Sequence, residues 1–409
     1  MGYPDMNSQE IKTFCSLFFA VLTALTGVGI VVPLLPVYAR AIGASGFYIG
    51  MIFGVFSIAR TAFIPYFGRS SDRRGRKPFI LGGLLGYAAV AIALYYTTNV
   101  TMLIGIRFIQ GFFSAMMMPV LQAYVGVITP DGRVGLTMGI FNLATFVGLG
   151  MGPLIGGGIS DHWNMQAAFV SMGALALCGF LLSALGLPPT RSEKAFRHYT
   201  APTAWRYLLR DRELLGLFTF RMAYTTCIGV IWGFLPLYAD QTLHISRSAI
   251  GALIMTGVMV SGVIHVPMGY LSDYVRKPLM VATGGILAGI GILTFVWDQT
   301  LTGMLLSSGV FGLGGGIAMP ALMGMAVNKG ARAGAMGSIM ALLTLGHSLG
   351  MMTGALMAGL LMDGLQLLWA FPFGAVVMGL GVVGFWCWSG GIEPLPDPLA
   401  HSGPPDSKT

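Results

Sequence analysis

The chain has 409 residues, 55% of them hydrophobic and only 9% charged, with a formal net charge of +8. A soluble globular protein carries about 25% charged residues, so there is too little charge here to cover a water-facing surface of this size, and lipid must be the solvent for most of the chain. The basic excess has no soluble face to occupy, which excludes nucleic-acid binding, and the apolar runs are long and continuous, which excludes a β-barrel.

Twelve apolar runs are predicted to cross the membrane, near 14–39, 46–68, 78–97, 101–124, 134–159, 165–187, 214–239, 248–270, 278–297, 302–327, 334–361 and 366–389. Each has the roughly 20 residues that a bilayer demands of a helix. Little chain remains between them for a soluble domain. The first run is too long for a signal-peptide core and is followed by more spans, so we expect it in the mature protein. The 60 glycines fit this reading, because small residues let helices approach closely where lipid supplies no hydrophobic drive between them.

Taken in chain order, the runs repeat. The first closes on Leu35-Pro36-Val37-Tyr38-Ala39, and the seventh on Leu235-Pro236-Leu237-Tyr238-Ala239. Gly68-Arg69-Ser70-Ser71-Asp72-Arg73-Arg74-Gly75-Arg76-Lys77-Pro78 follows the second run, and Gly269-Tyr270-Leu271-Ser272-Asp273-Tyr274-Val275-Arg276-Lys277-Pro278 follows the eighth. Met118-Pro119 matches Met319-Pro320, and Gly148, Gly152, Gly157 and Asp161 match Gly350, Gly354, Gly359 and Asp363. The offset stays near two hundred throughout. The chain is therefore read as two related halves, 1–190 and 213–389, joined by a polar linker at 191–212 and followed by a tail at 390–409. Two membrane bundles facing each other are the basic machinery of alternating-access transport.

The Lys and Arg residues set the orientation. With both termini in the cytoplasm, the inner segments hold nearly all of those outside the spans, including Arg69, Arg73, Arg74, Arg76, Lys77, Arg133, Arg206, Arg210, Arg276, Lys277, Lys329 and Arg332. The outer segments hold only Arg40 and Arg247. Positive residues mark the cytoplasmic side, so both charged turns are expected there. Within the linker, Trp205-Arg206-Tyr207-Leu208-Leu209-Arg210 is either a short interfacial helix or a solvated connection. The cysteines, Cys15, Cys178, Cys227 and Cys387, lie inside predicted spans without metal-type spacing, and read as small apolar residues.

These motifs carry a family resemblance over essentially the whole chain. The first charged turn, Arg107-Phe108-Ile109-Gln110-Gly111 in span four and Gly148-Leu149-Gly150-Met151-Gly152-Pro153-Leu154-Ile155-Gly156-Gly157 in span five resemble three signatures of the major facilitator superfamily. The last is associated with its drug/proton antiporter, or multidrug-exporter, branch. The turn departs at Ser70, where leucine is common, and the second copy has lost the Asp-Arg and Gly-Arg pairs. The resemblance implies an all-α membrane protein with 12 transmembrane helices in two pseudo-symmetric six-helix bundles. It implies a cytoplasmic gate of Gly68, Asp72, Arg73, Gly75, Arg76 and Lys77, with Asp131, Gly269 and Asp273. There Asp72 would accept from the exposed N–H groups at the start of span eleven, near Ala333, and complement its dipole. It also implies a hinge between the halves at Gly148, Gly152, Pro153, Gly156 and Gly157. Ordinary small-residue packing is the alternative for those glycines.

Buried charge is the sharper functional evidence. The spans hold Arg60, Arg107, Arg221, His265 and His347, with no Asp or Glu in their interiors. An arginine at mid-membrane is costly and is normally turned to a cavity or a partner. We expect Arg107, Gln110, Arg60, Arg221, His347, Asn142 and Tyr38 around a substrate cavity, although Arg60 and Arg221 could instead snorkel. His347 and Asp161 are the candidates for proton coupling, and Asp240 and Asp363 are further acids at span edges. Met255 and Met259, with His265 and Met268, could hold copper(I), but methionine is abundant enough here for such pairs to arise from packing, and neither a metal nor another cofactor is expected.

The leading expectation is a secondary active, proton-coupled exporter of amphipathic compounds. The alternative is an organic-anion (carboxylate-type) transporter working by proton symport, because a cavity of Arg and His without an acid lacks a counter-ion for cations. A membrane sensor or assembly factor is a third class, and no enzyme is expected, since no nucleophile–base set or phosphate loop stands out. The expected partners are an anionic or amphipathic small molecule, protons and the lipid bilayer, with the protein a monomer in the bacterial inner membrane.

Overall fold

The computed structural model describes residues 7–129, 134–188, 210–297, 300–333 and 335–389. These residues form twelve helices long and apolar enough to cross a membrane. Span one is Ser8–Val31, broken at Val32-Pro33 and continued by Leu34–Ala41. Spans two to six are Gly46–Arg74, Lys77–Tyr95, Val100–Ile128, Val134–His162 and Met165–Gly186. Spans seven to eleven are Arg212–Leu243, Arg247–Leu271, Lys277–Thr294, Leu301–Ala333 and Met336–Gly364. Span twelve is a short 3-10 turn, Leu367–Trp369, running into Ala370–Ser389.

Spans two, four, seven and ten run about a turn or more past their apolar runs, spans three, six and nine end at or inside theirs, and polar residues cap several of the starts. Asn7 accepts from the N–H groups of Gln9 and Glu10 while Glu10 accepts from Asn7 N–H, a capping box that starts span one before its first apolar residue. Asn99, Asn164, Asp211 and Ser246 cap spans four, six, seven and eight in the same manner. Gly75, at φ +86°, breaks span two from span three in a conformation that side chains resist. Pro78 and Pro278 then open spans three and nine, where a missing N–H costs nothing.

The twelve spans form two six-helix bundles with matching contacts. In the first, span one packs on five and six, two on four, and three on four and six. In the second, seven packs on eleven and twelve, nine on ten and twelve, and eight on ten. Two crossings dominate the contact between bundles, span two on eleven and span five on eight. Exposed aromatics ring both ends of the body, with Tyr96, Trp163 and Trp297 at one and Tyr66, Tyr270 and Trp388 at the other, the pattern of a bilayer interface. Leu177, Ile286 and Leu380 are exposed between those ends, as side chains that meet lipid are. Below, the end carrying the two charged turns is called the basic face and the other the opposite face.

Asp131, the linker stretch containing Trp205 and the tail at 390–409 lie outside the described residues.

Candidate functional site

The bundles are locked together at the opposite face by two crossings that mirror each other. Gly46 and Phe47, the first residues of span two, donate their N–H groups to Asp363 Oδ1 and Oδ2 at 2.7 and 2.8 Å. Arg247 and Ser248, which open span eight, donate theirs to Asp161 at 3.1 and 2.8 Å, and the Ser248 hydroxyl adds a third bond. Each aspartate ends a helix of one half and caps a helix of the other, satisfying N–H groups that have no partner within their own helix. Beneath each cap the backbones touch. A Cβ at Gly359 would meet the Gly46 carbonyl, and one at Gly157 the Arg247 carbonyl. A turn deeper, Gly50 meets the Ala355 carbonyl and Gly251 that of Pro153.

Span five therefore carries two glycine faces. Gly148, Gly152 and Gly156 pack on Leu22, Thr26, Gly29 and Ile30 of span one, inside their own half. The contact with the other half comes from Gly150, Pro153 and Gly157. Of the five residues expected to form the hinge, then, only Pro153 and Gly157 touch the other bundle through these contacts.

The basic face is arranged differently. Asp72 is exposed and pairs with Arg76 of its own turn at 3.6 Å. Lys77 reaches back within its half and donates to the carbonyls of Ala184 (2.8 Å) and Leu187 at the end of span six, where a cation also suits the helix dipole. Gly68 has nothing within 4 Å of a Cβ position, and Gly269 only Pro320 of its own half. Nearest to this face, the cross-half hydrogen bond joins the hydroxyls of Thr61 in span two and Ser348 in span eleven. The expected bond from the start of span eleven to Asp72 is not formed among the described residues. No aspartate cap like those of the opposite face joins the two halves here among the described residues.

The cationic side chains collect just where the bundles part. Arg60 precedes Thr61, and His347 precedes Ser348. Arg221 of span seven places Nη2 3.3 Å from His347 Nδ1 and Nη1 2.8 Å from Met319 Sδ. Arg60 is close enough to interact electrostatically with both Arg221 and His347 across the interface, and with Tyr87 of span three. The Nε atoms of Arg60 and Arg221 are buried without a hydrogen-bond partner. Every acidic residue of the described spans lies in a first or last turn (Glu10, Asp72, Asp161, Glu213, Asp240 and Asp363). No carboxylate in a described span therefore stands at the depth of these cations.

The other expected cavity residues are placed elsewhere. Arg107 is 2% exposed and fully engaged. Its Nε donates to the Ile52 carbonyl at 3.2 Å, Nη1 to Gln110 Oε1, and its guanidinium lies 4.4 Å from the Phe56 ring centre. Arg107 and the wholly buried Gln110 thus join span four to span two. Tyr38 is also buried and donates to the Thr97 carbonyl at 2.6 Å, edge-on to Phe169. Asn142 is exposed, one turn toward the basic face from Phe146 on the same side of span five. The Phe146 ring is 5.4 Å from that of His265 across the second crossing, and Met259 packs on Gly150 beside it. Beyond the expected set, the structure adds Tyr87, Tyr224 and Met319 to the surroundings of the cluster. A groove of about 450 Å³ between spans eight and ten, lined by Thr256, Val260, Leu305 and Leu313 among others, has no charged side chain.

Comparisons with known proteins agree with this architecture. A family model described as the Major Facilitator Superfamily matches residues 17–242 and 217–407. An uncharacterized MFS-type transporter of Methanocaldococcus jannaschii is 28% identical over 376 residues, covering 91% of this chain and 96% of its own. Multidrug resistance protein 2 of Bacillus subtilis is 26% identical over 392 residues, 92% and 96% of the two chains. The crystal structure of the nucleoside transporter NupG superposes with a TM-score of 0.77 at 12% identity, covering 93% of this chain and 100% of that one. With two matching six-helix bundles and a family match along nearly its whole length, the chain belongs to the major facilitator superfamily and is a multi-pass membrane transporter, not an enzyme.

Proposed function

We propose that the protein is a proton-coupled exporter of amphipathic small molecules, working by rocking of residues 1–190 against 213–389. The observation that supports this reading is the asymmetry between the faces, with paired aspartate caps and backbone crossings on one and no such cap among the described residues of the other. A rigid-body rock about the central cluster would exchange the two arrangements. Lys and Arg enrichment supports a cytoplasmic basic face with both termini on that side, and the bacterial relatives support a bacterial inner membrane. In that orientation the closed face is the outer one, which supports a state that takes substrate from inside the cell. Asp161 supports proton coupling, because an ionised carboxylate caps span eight better than a protonated one, and it lies on the side where protons would enter. His347 would sense the same cycle from within. The multidrug-resistance relatives support export.

The test is transport in inverted membrane vesicles containing the protein. Fluorescent amphipathic compounds should accumulate when a pH gradient, acidic inside, is imposed, and should leak back when a protonophore collapses it. Accumulation that ignores the gradient would refute proton coupling. Uptake in the reverse direction would refute export.

A further inference from the structure

We propose that Arg60, Arg221 and His347 form an anion-binding site shared by the two bundles, and that the compounds carried are amphipathic anions bearing a carboxylate, sulfonate or phosphate. The inference rests on the transporter reading above and names its substrate class.

Three observations converge. The cations come from both halves, Arg60 from span two and Arg221 and His347 from spans seven and eleven, and they meet at the level of the Thr61–Ser348 bond between the halves. Among the described residues no carboxylate neutralises them, since the acids of the described spans all lie in end turns. Part of their hydrogen-bonding capacity is also unspent. The Nε atoms of Arg60 and Arg221 are buried without a partner, and Arg221 Nη1 makes do with the thioether of Met319. Arg107 shows what a purely structural arginine looks like in the same protein, with a carbonyl, an amide oxygen and an aromatic face all engaged. Arg60 and Arg221 instead keep donors in reserve at the place where a substrate must pass.

The chemistry selects the ligand. A guanidinium presents a planar fork of donors that fits the oxygens of a carboxylate, sulfonate or phosphate. Two such groups held at low dielectric repel each other until an anion sits between them. The aromatic and thioether groups beside them, Tyr224 and Met319 among them, suit an apolar body attached to that anion. Because the cations belong to opposite bundles, a bound anion also draws the bundles together at the basic face. The site thereby links recognition to closure.

The experiment uses the full-length protein in phosphatidylcholine nanodiscs and three probes that share a ring system, naphthalene-2-sulfonate, 2-naphthalenemethanol and (2-naphthylmethyl)trimethylammonium. Binding is read by calorimetry, and transport of the same compounds by counterflow in proteoliposomes. The sulfonate should bind at least about tenfold more tightly than the other two, and R60Q and R221Q should each remove most of that preference. R60K and R221K, which keep the charge but lose the fork, should retain part of it. Should a glutamine variant fail to fold, the ranking of the three probes on the unmodified protein still decides the matter. Tighter binding of the cation or the neutral compound would overturn the proposal, as would a sulfonate affinity unchanged in R60Q and R221Q. Competition by phosphatidylglycerol added to the nanodisc would also overturn it, by reassigning the site to a lipid headgroup. Counterflow of the cation through a protein that ignores the sulfonate would leave the transporter reading standing without the anion site. Sulfonate binding with no counterflow of any compound would leave the site standing without the transporter reading.

Discussion

Replacing Asp161 and Asp363 by alanine should open the opposite face by an amount that the structure allows to be worked out. Asp363 accepts two backbone N–H groups and Asp161 two, plus a hydroxyl. Both carboxylates are exposed, so the appropriate scale is that of a helix cap in water. Removing such a cap costs about 1 kcal/mol. The bonds exist only while the opposite face is closed, so the loss falls wholly on that state. About 1 kcal/mol shifts the ratio of closed to open forms roughly fivefold, and two independent caps shift it about thirtyfold. Electron–electron resonance between spin labels at Tyr96 and Trp297 reads this directly, because both are exposed, lie at the opposite face and belong to different halves. D161A and D363A should each add a longer-distance population, and the double variant should enlarge it by the product of the single effects. A distance distribution unchanged in the double variant would refute the argument that the caps hold this face shut.

Three other outcomes follow from the packing. Valine at Gly157 or Gly359 should force the same face apart, since a Cβ at either position meets a backbone carbonyl of the other half; labels at Tyr96 and Trp297 should report it, with transport lost and the protein still folded. R107A should lower stability by about 2–4 kcal/mol, because it leaves Gln110 without its charged donor and empties the space over Phe56; thermal unfolding in detergent checks this. K329M removes a cation that holds Asp211 and Glu213 at 2.8 Å each, tying span ten to span seven within one half. It should cost about 1 kcal/mol in the same unfolding experiment while leaving distances between the halves unchanged.

Much of this architecture is legible in the sequence because lipid permits few solutions. An apolar run of sufficient length must be a helix, and a two-hundred-residue repeat of prolines, glycines and aspartates must place equivalent residues at equivalent points of two bundles. The repeat pairs Gly157 and Asp161 with Gly359 and Asp363, but their spacing does not say that the aspartates cap helices of the other half. What helical spacing does not reveal is the partner. Gly148, Gly152 and Gly156 share a face, but that face meets span one rather than the other half. Arg107 and Tyr38 are recognisable as interior, yet the pattern cannot say whether a side chain turns to a cavity or into a neighbouring helix. The approach of Arg221 to His347 joins residues 126 positions apart, and only the packing of span seven on span eleven brings them together. The state of the gate is likewise invisible in sequence. Asp72 carries the features of a latch residue, and the described conformation leaves it unlatched.

The measurement that tests the account most directly follows both faces at once as the central site fills. One label pair at Tyr96 and Trp297 reports the opposite face, and another at the exposed Arg74 and Tyr274 reports the basic face. On binding of naphthalene-2-sulfonate, the basic-face distance should shorten while the population of long opposite-face distances grows. Two distances that stay fixed with the site occupied, or that lengthen together, would contradict a pair of bundles rocking about a shared cationic centre.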